Sequence, residues 1–209
     1  RFAFSSVEEW DTLHDWYRSL MTDRTVLDED VSAAVADVVQ HALDHEGRLR
    51  ALAAFVASET RYVGIQLGQG DFQPHAAGEV LRHRYGDCKD KCTLLITMFQ
   101  AIGVEAFPAL INPTYGGSDI DLDLPSLGQF SHMILAVPDA SMPGGYAWVD
   151  PTDDTVPYGR LPASDQGRTV MLVTDDAPVW VQTPIDTPEM NRYDWSLTLG
   201  LDPSGAVYG

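Results

Sequence analysis

Cys88 is the residue whose position in the chain most clearly suggests chemistry. It lies in residues 85–92, Tyr-Gly-Asp-Cys-Lys-Asp-Lys-Cys, where a turn is predicted to lead directly into a helix. The first turn of a helix has free backbone N–H groups and a partial positive charge, which stabilise a thiolate and lower the pKa of a thiol placed there. Asp87 is a suitable N-cap, and Asp90 follows three positions later. Cys88 is therefore a candidate nucleophile.

A cysteine nucleophile needs an imidazole base, and that imidazole needs an acceptor on its other nitrogen. His132 and Asp150 meet this need on two predicted strands, joined by a turn-rich link at residues 139–145 that favours an antiparallel hairpin. Their midpoint, position 141, lies in that turn. The spacing therefore predicts, to within about one residue of register, that His132 and Asp150 face each other at roughly 5 Å between Cβ atoms.

The elements that must position these residues can be predicted from periodicity and capping signals. The first helix is predicted to start with a capping box at Ser6, and the Cys88 helix to bury one apolar face that includes Cys92. Further helices are predicted at 30–43, 46–58 and 76–83, and strands at 62–66, 104–111, 130–137 and 146–150. Cys92 is assigned to packing, because one turn into the helix the N-terminal field is lost.

Three stretches of the chain resemble one family. Gly-Asp-Cys-Lys-Asp-Lys at 86–91, Phe-Ser-His at 130–132 and Trp-Val-Asp-Pro-Thr at 148–152 are similar to motifs of the transglutaminase-like superfamily, bacterial branch. The resemblance covers about residues 62–173. It implies an α+β, papain-like fold in which the cysteine helix packs on an antiparallel sheet. It also implies that Cys88 is the nucleophile, His132 the general base and later acid, and Asp150 the group that orients the imidazole.

The oxyanion of an acyl-transfer reaction needs hydrogen-bond donors. The backbone N–H of Cys88 is the first candidate because it is free in the first helical turn. Tyr62 or Gln66, on the preceding strand, is the candidate for the second.

These residues predict a cysteine-dependent enzyme that acts on amide bonds of peptides or proteins through an acyl-enzyme. If water resolves the acyl-enzyme, the protein is a peptidase or amidase; if a lysine-type amine resolves it, the protein is a cross-linking transglutaminase. A third possibility stays open: a papain-like scaffold that binds a partner while its triad is idle.

Composition narrows the classes of partner. The formal charge is −18, from 31 acidic and 13 basic residues in 209, which disfavours nucleic acid. No glycine loop of the phosphate-binding type is present, and no cofactor is predicted.

No metal is predicted either. The acids at 119, 121 and 123 lack the glycine and the bidentate glutamate of a calcium loop. His41 and His45 lack the zinc-protease pattern, and a set made of Cys88, Cys92, His83 and His132 fits no common zinc spacing.

We expect residues 1–185 to form the core domain, with 1–60 as its helical part, and 186–209 to begin a following β-rich domain or linker. Residues 195–208 read as a hairpin interrupted in its second strand, so the chain is interpreted as an excerpt of a longer protein. The resemblance implies that the flanking domains are β-rich. The sequence itself does not identify the compartment, whereas the resemblance suggests one outside the cytoplasm.

Overall fold

A computed structural model describes residues 5–64, 72–113, 119–192 and 194–208. Helices and strands are segregated along the chain, with helices first and most strands last. The helices are α1 (Trp10–Met21), α2 (Glu29–Val39), α3 (His45–Glu59), α4 (Ala77–His83) and α5 (Cys88–Ala101). The strands are β1 (Arg61–Tyr62), β2 (Tyr85–Gly86), β3 (Phe107–Ile111), β4 (His132–Pro138), β5 (Tyr146–Val149), β6 (Thr169–Val173), β7 (Pro178–Gln182), β8 (Gly200–Leu201) and β9 (Val207–Tyr208).

Aspartate caps set the starts of the second and third helices. The Asp28 carboxylate accepts from the Val31 N–H at 2.8 Å, and the Asp44 carboxylate accepts from the Gly47 N–H at 2.7 Å. Both helices are therefore close to their predicted positions.

The predicted start of the first helix is wrong. Helix α1 begins at Trp10, and the N-cap residue Glu9 makes no side-chain cap. Tertiary contacts hold both the preceding segment and the first helical residue: the Ser5 hydroxyl donates to the Pro125 carbonyl at 2.5 Å, and the Trp10 indole donates to the Leu122 carbonyl at 2.8 Å. These long-range contacts therefore outweigh the local capping signal at Ser6 in setting where the helix begins.

Five antiparallel strands form the main sheet in the order β5-β4-β3-β6-β7. Side chains alternate between its faces, and both faces are buried. Met133 and Leu135 face the helices, whereas Ile134 and Trp148 belong to a second apolar cluster that includes Leu161 from the segment after β5. The sheet is therefore covered on one side by helices and on the other by that segment.

Helix α5 is buried along most of its length, which differs from the single apolar face that the periodicity predicts. Every residue from Lys89 to Phe99 is buried. The helix packs against α2, α3, α4 and β4, so even its polar residues are surrounded by protein. A central helix of this kind holds its first residue in a rigid frame.

Residues 200–208 form the predicted antiparallel hairpin, with Gly200 paired to Tyr208. No helix in the described part of the chain is long and apolar enough to cross a membrane.

Candidate active site

Cys88 is the first residue of α5, and a reciprocal capping box fixes that position. The Asp87 carboxylate accepts from the Asp90 N–H at 3.3 Å, and the Asp90 carboxylate accepts from the Asp87 N–H at 3.2 Å. Both acids predicted to be caps are confirmed as caps. The sulfur therefore lies in the first helical turn, as the sequence predicts.

Two further residues support this turn. A Cβ at Gly86 would lie 2.5 Å from the Cβ of Asp90, so only glycine fits the approach to the helix. The same Asp90 carboxylate accepts from the His75 backbone N–H at 2.8 Å, and the His75 ring nitrogen Nδ1 lies 3.2 Å from it. Sequence analysis did not identify His75, because nothing in the local pattern links it to residues 15 positions later.

The two lysines beside Cys88 are buried and engaged. Lys89 makes a salt bridge with Asp87, and both side chains are almost fully buried. Lys91 donates from Nζ to the carbonyl oxygens of Ala57 and Thr60, at 3.0 and 2.8 Å, at the C-terminal end of α3. Burial lowers the pKa of Lys91. Both lysines thus tie the start of α5 to its surroundings.

Cys92 connects α5 to the strand that carries His132. Its thiol is fully buried and lies 3.4 Å from the carbonyl oxygen of Met133, the residue after His132. Burial raises the pKa of the Cys92 thiol well above its usual value. These observations agree with a packing role.

His132 begins β4, and Asp150 directly follows β5. Their side chains meet, with His132 Nε2 at 3.0 Å from Asp150 Oδ2. The predicted register is wrong, however: Leu135 pairs with Val149, so the hairpin is offset by two residues from the direct pairing of 132 with 150. A two-residue offset keeps both side chains on the same face of the sheet, and a diagonal contact replaces the direct one.

Thr152 holds the Asp150 carboxylate in place. Its backbone N–H and its hydroxyl both donate to Asp150 Oδ1, at 2.8 and 2.7 Å. Oδ2 is thereby left for the imidazole. The turn that contains Pro151 therefore serves to aim the carboxylate.

Charge and hydrogen bonding shift the pKa values of this pair. Burial alone would lower the pKa of His132, but hydrogen bonds and charge from Asp150 and Cys88 outweigh it and raise that pKa to about 10. Burial would raise the pKa of Asp150, yet the His132 hydrogen bond and charge, with the Thr152 donors, lower it. The imidazolium and the carboxylate thus stabilise each other.

Cys88 and His132 line one cavity of about 300 Å³. Its other lining residues include Tyr17, Phe72, Lys89, Leu127 and Phe130. Leu127 belongs to the loop between β3 and β4, of which residues 114–118 lie outside the described part of the chain. The described part of this loop flanks the cleft.

The structure brings one of the two predicted oxyanion donors to the thiol. Tyr62 lies in β1. Burial, the charges of Cys88 and nearby acids, and a hydrogen bond with Cys88 raise the pKa of Tyr62 to about 12. Gln66 lies outside the described residues.

Asp165 is a neighbour of the pair that sequence analysis missed. It is 1% exposed, and its Oδ2 atom has no hydrogen-bond partner. Burial, the charge of Asp150 and a hydrogen bond that a protonated Asp165 would share with Asp150 raise the pKa of Asp165 to about 6, against the lowering effects of His132 and Ser164. Asp165 matches no motif and lies 15 positions after Asp150, so only the folded chain reveals it.

The other predicted clusters serve local structure. Asp119 accepts from the Thr169 hydroxyl at 2.6 Å, and the Asp121 N–H donates to the Gln129 side chain at 2.7 Å. This agrees with the interpretation of 119–123 as an acidic loop.

The comparison with protein families bears on the first half of this site. Residues 32–112 match the family model described as the transglutaminase-like superfamily. The matched segment contains Cys88 and α3 to α5, whereas His132 and Asp150 lie beyond it. The predicted resemblance to this superfamily is confirmed, whereas its bacterial branch stays a prediction.

One solved structure extends the likeness to the fold of most of the chain. The crystal structure of a protein described as a "putative protease" from Parabacteroides distasonis superimposes with a TM-score of 0.59 at 11% identity, over 82% of this chain and 31% of that one. A protein described as a "putative cysteine protease" from Cytophaga hutchinsonii gives a TM-score of 0.44 at 12% identity, over 65% of this chain and 42% of that one. This chain thus spans less than half of either. No curated protein matches it. The predicted α+β fold of the transglutaminase-like type is confirmed.

Proposed function

We propose that this chain is a cysteine-dependent acyl-transfer enzyme that cleaves amide bonds of peptides or proteins. One observation carries the proposal. Cys88, at the start of a buried helix, shares a cleft with His132, whose Nε2 lies 3.0 Å from the Asp150 carboxylate. A thiol, an imidazole and a carboxylate in this order are the parts that nucleophilic catalysis by cysteine requires.

The two ring nitrogens of His132 take different roles. Since Nε2 is engaged by Asp150, Nδ1 is the nitrogen that exchanges a proton with the Cys88 sulfur. The pKa of about 10 keeps the imidazole protonated at neutral pH. This supports a resting state in which His132 is an imidazolium beside the Cys88 sulfur.

Acylation then proceeds in one balanced sequence. The thiolate attacks the amide carbonyl carbon, and the carbon–nitrogen bond breaks as His132 gives its Nδ1 proton to the departing amine. The products are a free amine and a thioester on Cys88. Asp150 keeps the imidazole oriented and remains a carboxylate throughout.

Deacylation reverses the proton transfer. Neutral His132 takes a proton from a water molecule, which attacks the thioester, and the carboxylic acid leaves as the thiolate is restored. An amine in place of water would give a new amide bond by the same steps. The same residues thus serve hydrolysis and transamidation, and the test below separates them.

Two donors support the developing oxyanion. The Cys88 backbone N–H is in the first turn of α5, where no intrahelical acceptor exists. Tyr62 is the second, because a pKa of about 12 keeps its phenol protonated and able to donate beside the thiol.

The lining of the cleft indicates the substrate. Phe72, Leu127 and Phe130 give it an apolar wall next to the sulfur. We therefore propose a peptide or protein substrate with an apolar side chain near the scissile amide.

Peptide-library cleavage with the purified chain tests the reaction. We expect new peptide ends with wild-type protein and none with Cys88→Ala. Cys92→Ser is the matched control, because its hydroxyl can still donate to the Met133 carbonyl. Ammonia release with incorporation of an added amine into a glutamine peptide would favour cross-linking instead.

Alkylation by iodoacetamide across pH tests the thiol alone. We expect wild-type Cys88 to react well below about pH 8, and this early reaction to disappear in His132→Ala. Two equally slow thiols in the wild-type chain would contradict the proposal and favour an idle scaffold.

A further inference from the structure

Asp165 presents a buried carboxylate oxygen with no partner beside the His132–Asp150 pair. The residue is 1% exposed, and Ser164 donates to its Oδ1 at 2.9 Å while Oδ2 remains unsatisfied. A buried oxygen of this kind is costly unless a proton or a cation satisfies it. The enzyme chemistry described above makes no use of it.

We propose that His132, Asp150 and Asp165 form a binding site for a divalent cation of the Zn²⁺ class. Each residue offers one donor atom, and the three atoms all lie within 4.8 Å of one another. A common point then lies within about 2.8 Å of all three, so shifts of under about 1 Å would give zinc bond lengths of about 2.0–2.2 Å.

The donor set selects the class of cation. One imidazole and two carboxylates match the three protein ligands of open zinc sites, which keep a fourth position for water. Ca²⁺ and Mg²⁺ prefer sets of six or more oxygen ligands, and an imidazole nitrogen suits them poorly. The site therefore favours zinc over the alkaline-earth ions.

A second cavity gives the cation and its water a route in. Its volume is about 530 Å³, and His132, Asp150 and Asp165 all line it. Asp153 and Asp154 line it as well, and no lysine or arginine is among the lining residues in the described part of the chain. This acidic field attracts a divalent cation.

Binding would change the state of the imidazole. The ion takes the Nε2 position that hydrogen-bonds Asp150, and the displaced proton goes to solvent, so the metal and the proton exchange one for one at His132. The ring keeps its Nδ1 proton but loses its positive charge, so giving that proton to the departing amine would leave an imidazolate instead of a neutral ring. Zinc is thus expected to inhibit the enzyme. This expected inhibition rests on the proposed function, whereas the proposed zinc binding does not.

Calorimetric titration with Zn²⁺ tests the site without substrate. The titrated protein is the full chain with the substitution Cys88→Ser, which removes the competing thiol that lines the cavity of about 300 Å³. We expect this chain to bind one Zn²⁺. Adding Asp165→Asn should weaken binding at least tenfold, since even losing an outer-shell partner of a metal ligand costs about 10–100-fold. Adding Asp154→Asn makes the same charge change in the same cavity and should leave the affinity within about threefold.

Each outcome is decisive. If Cys88→Ser abolishes zinc binding, the thiol holds the ion. If Asp165→Asn and Asp154→Asn change the zinc affinity by the same factor, the ion binds the acidic surface non-specifically. Either result overturns the proposal. If no Zn²⁺ binds, the orphaned oxygen is satisfied by a proton shared between the two carboxyls, and the proposal is also overturned.

Spectroscopy covers the case in which Asp165→Asn fails to fold, which circular dichroism detects. Co²⁺ bound to the unmutated chain should give visible bands without thiolate charge transfer in the near ultraviolet, and His132→Ala should remove those bands. A thiolate band would assign the ion to Cys88 and contradict the site. Neither the calorimetric titration nor the Co²⁺ spectrum needs catalytic turnover. Both can therefore be interpreted even if the protein shows no enzyme activity.

Discussion

His132 separates two cavities of opposite character. On the Cys88 side, a cavity of about 300 Å³ has an aromatic and aliphatic wall that includes Phe72 and Phe130. On the Asp150 side, a cavity of about 530 Å³ is lined by carboxylates, among them Asp153 and Asp165. One imidazole therefore meets an apolar environment through one edge and a strongly acidic one through the other.

The difference explains how a single side chain can do two tasks. In the proposed enzyme, the apolar wall is expected to bring a substrate to the sulfur and to limit competing water. The acidic side helps to keep a positive charge on the ring, since Asp150 acts with Cys88 to outweigh the burial that would lower the pKa of His132. Variants that affect one side only should separate the two contributions.

Loss of the nucleophile should have the largest effect. Cys88→Ser and His132→Ala should each lower kcat by on the order of 10⁶-fold, as when a triad member is removed from another hydrolase. Steady-state assays on the peptide found by library cleavage measure this. Cys92→Ser, one turn further along α5, should keep most of the activity; an equal loss there would contradict the assignment of the nucleophile.

Changes on the acidic side should come next. Asp150→Asn should lower kcat by about 10⁴-fold, because the amide favours the wrong imidazole tautomer. Asp154 lines the same cavity without touching the ring, so Asp154→Asn should have the kcat of the wild type in the same assay. If both variants lose similar activity, the cavity works through general charge rather than through the Asp150 hydrogen bond.

Removal of the Tyr62 hydroxyl should cost less. Tyr62→Phe should lower kcat by about 10²-fold, the lower end for loss of one oxyanion donor, with little change in KM. Measuring kcat and KM separately is useful, because a rise in KM with unchanged kcat would assign Tyr62 to substrate binding. Tyr85→Phe, an exposed tyrosine in the paired strand β2, is the matched control.

The smallest effect concerns stability and pH. The pKa of His132 rises from 6.5 to about 10 on folding, so protonated His132 stabilises the fold below about pH 6.5, and this contribution is lost as the pH rises towards 10. The gap in urea midpoint between wild type and His132→Ala should therefore narrow between about pH 6 and pH 10. A gap that stays constant over this range would show that the ring carries no extra proton in the folded state.

Much of the site could be predicted because its determinants are local. The capping box that holds Cys88 depends on residues three positions apart, and the structure confirms it. The hairpin that carries His132 and Asp150 follows from a turn-rich link, although the register is offset by two residues. The contact survives because an even offset keeps both side chains on one face.

Other features depend on residues far apart in the chain. Ser6 lacks its predicted capping role because contacts with residues 122 and 125 hold the preceding segment. Helix α5 is buried on more than its apolar face because helices and a sheet surround it. The periodicity of apolar residues indicates which face of a helix is apolar, whereas the burial of each residue depends on the elements that pack against the helix.

The sequence by itself determined the start of the cysteine helix, the hairpin and the identity of three candidate catalytic side chains, since each depends on short spacings. Only the tertiary structure decided that Asp165 lies beside His132 and Asp150, and that Tyr62 reaches the thiol. Both depend on how distant segments pack against the end of the sheet and the start of α5. Such packing is set by the whole core, so no local pattern encodes it.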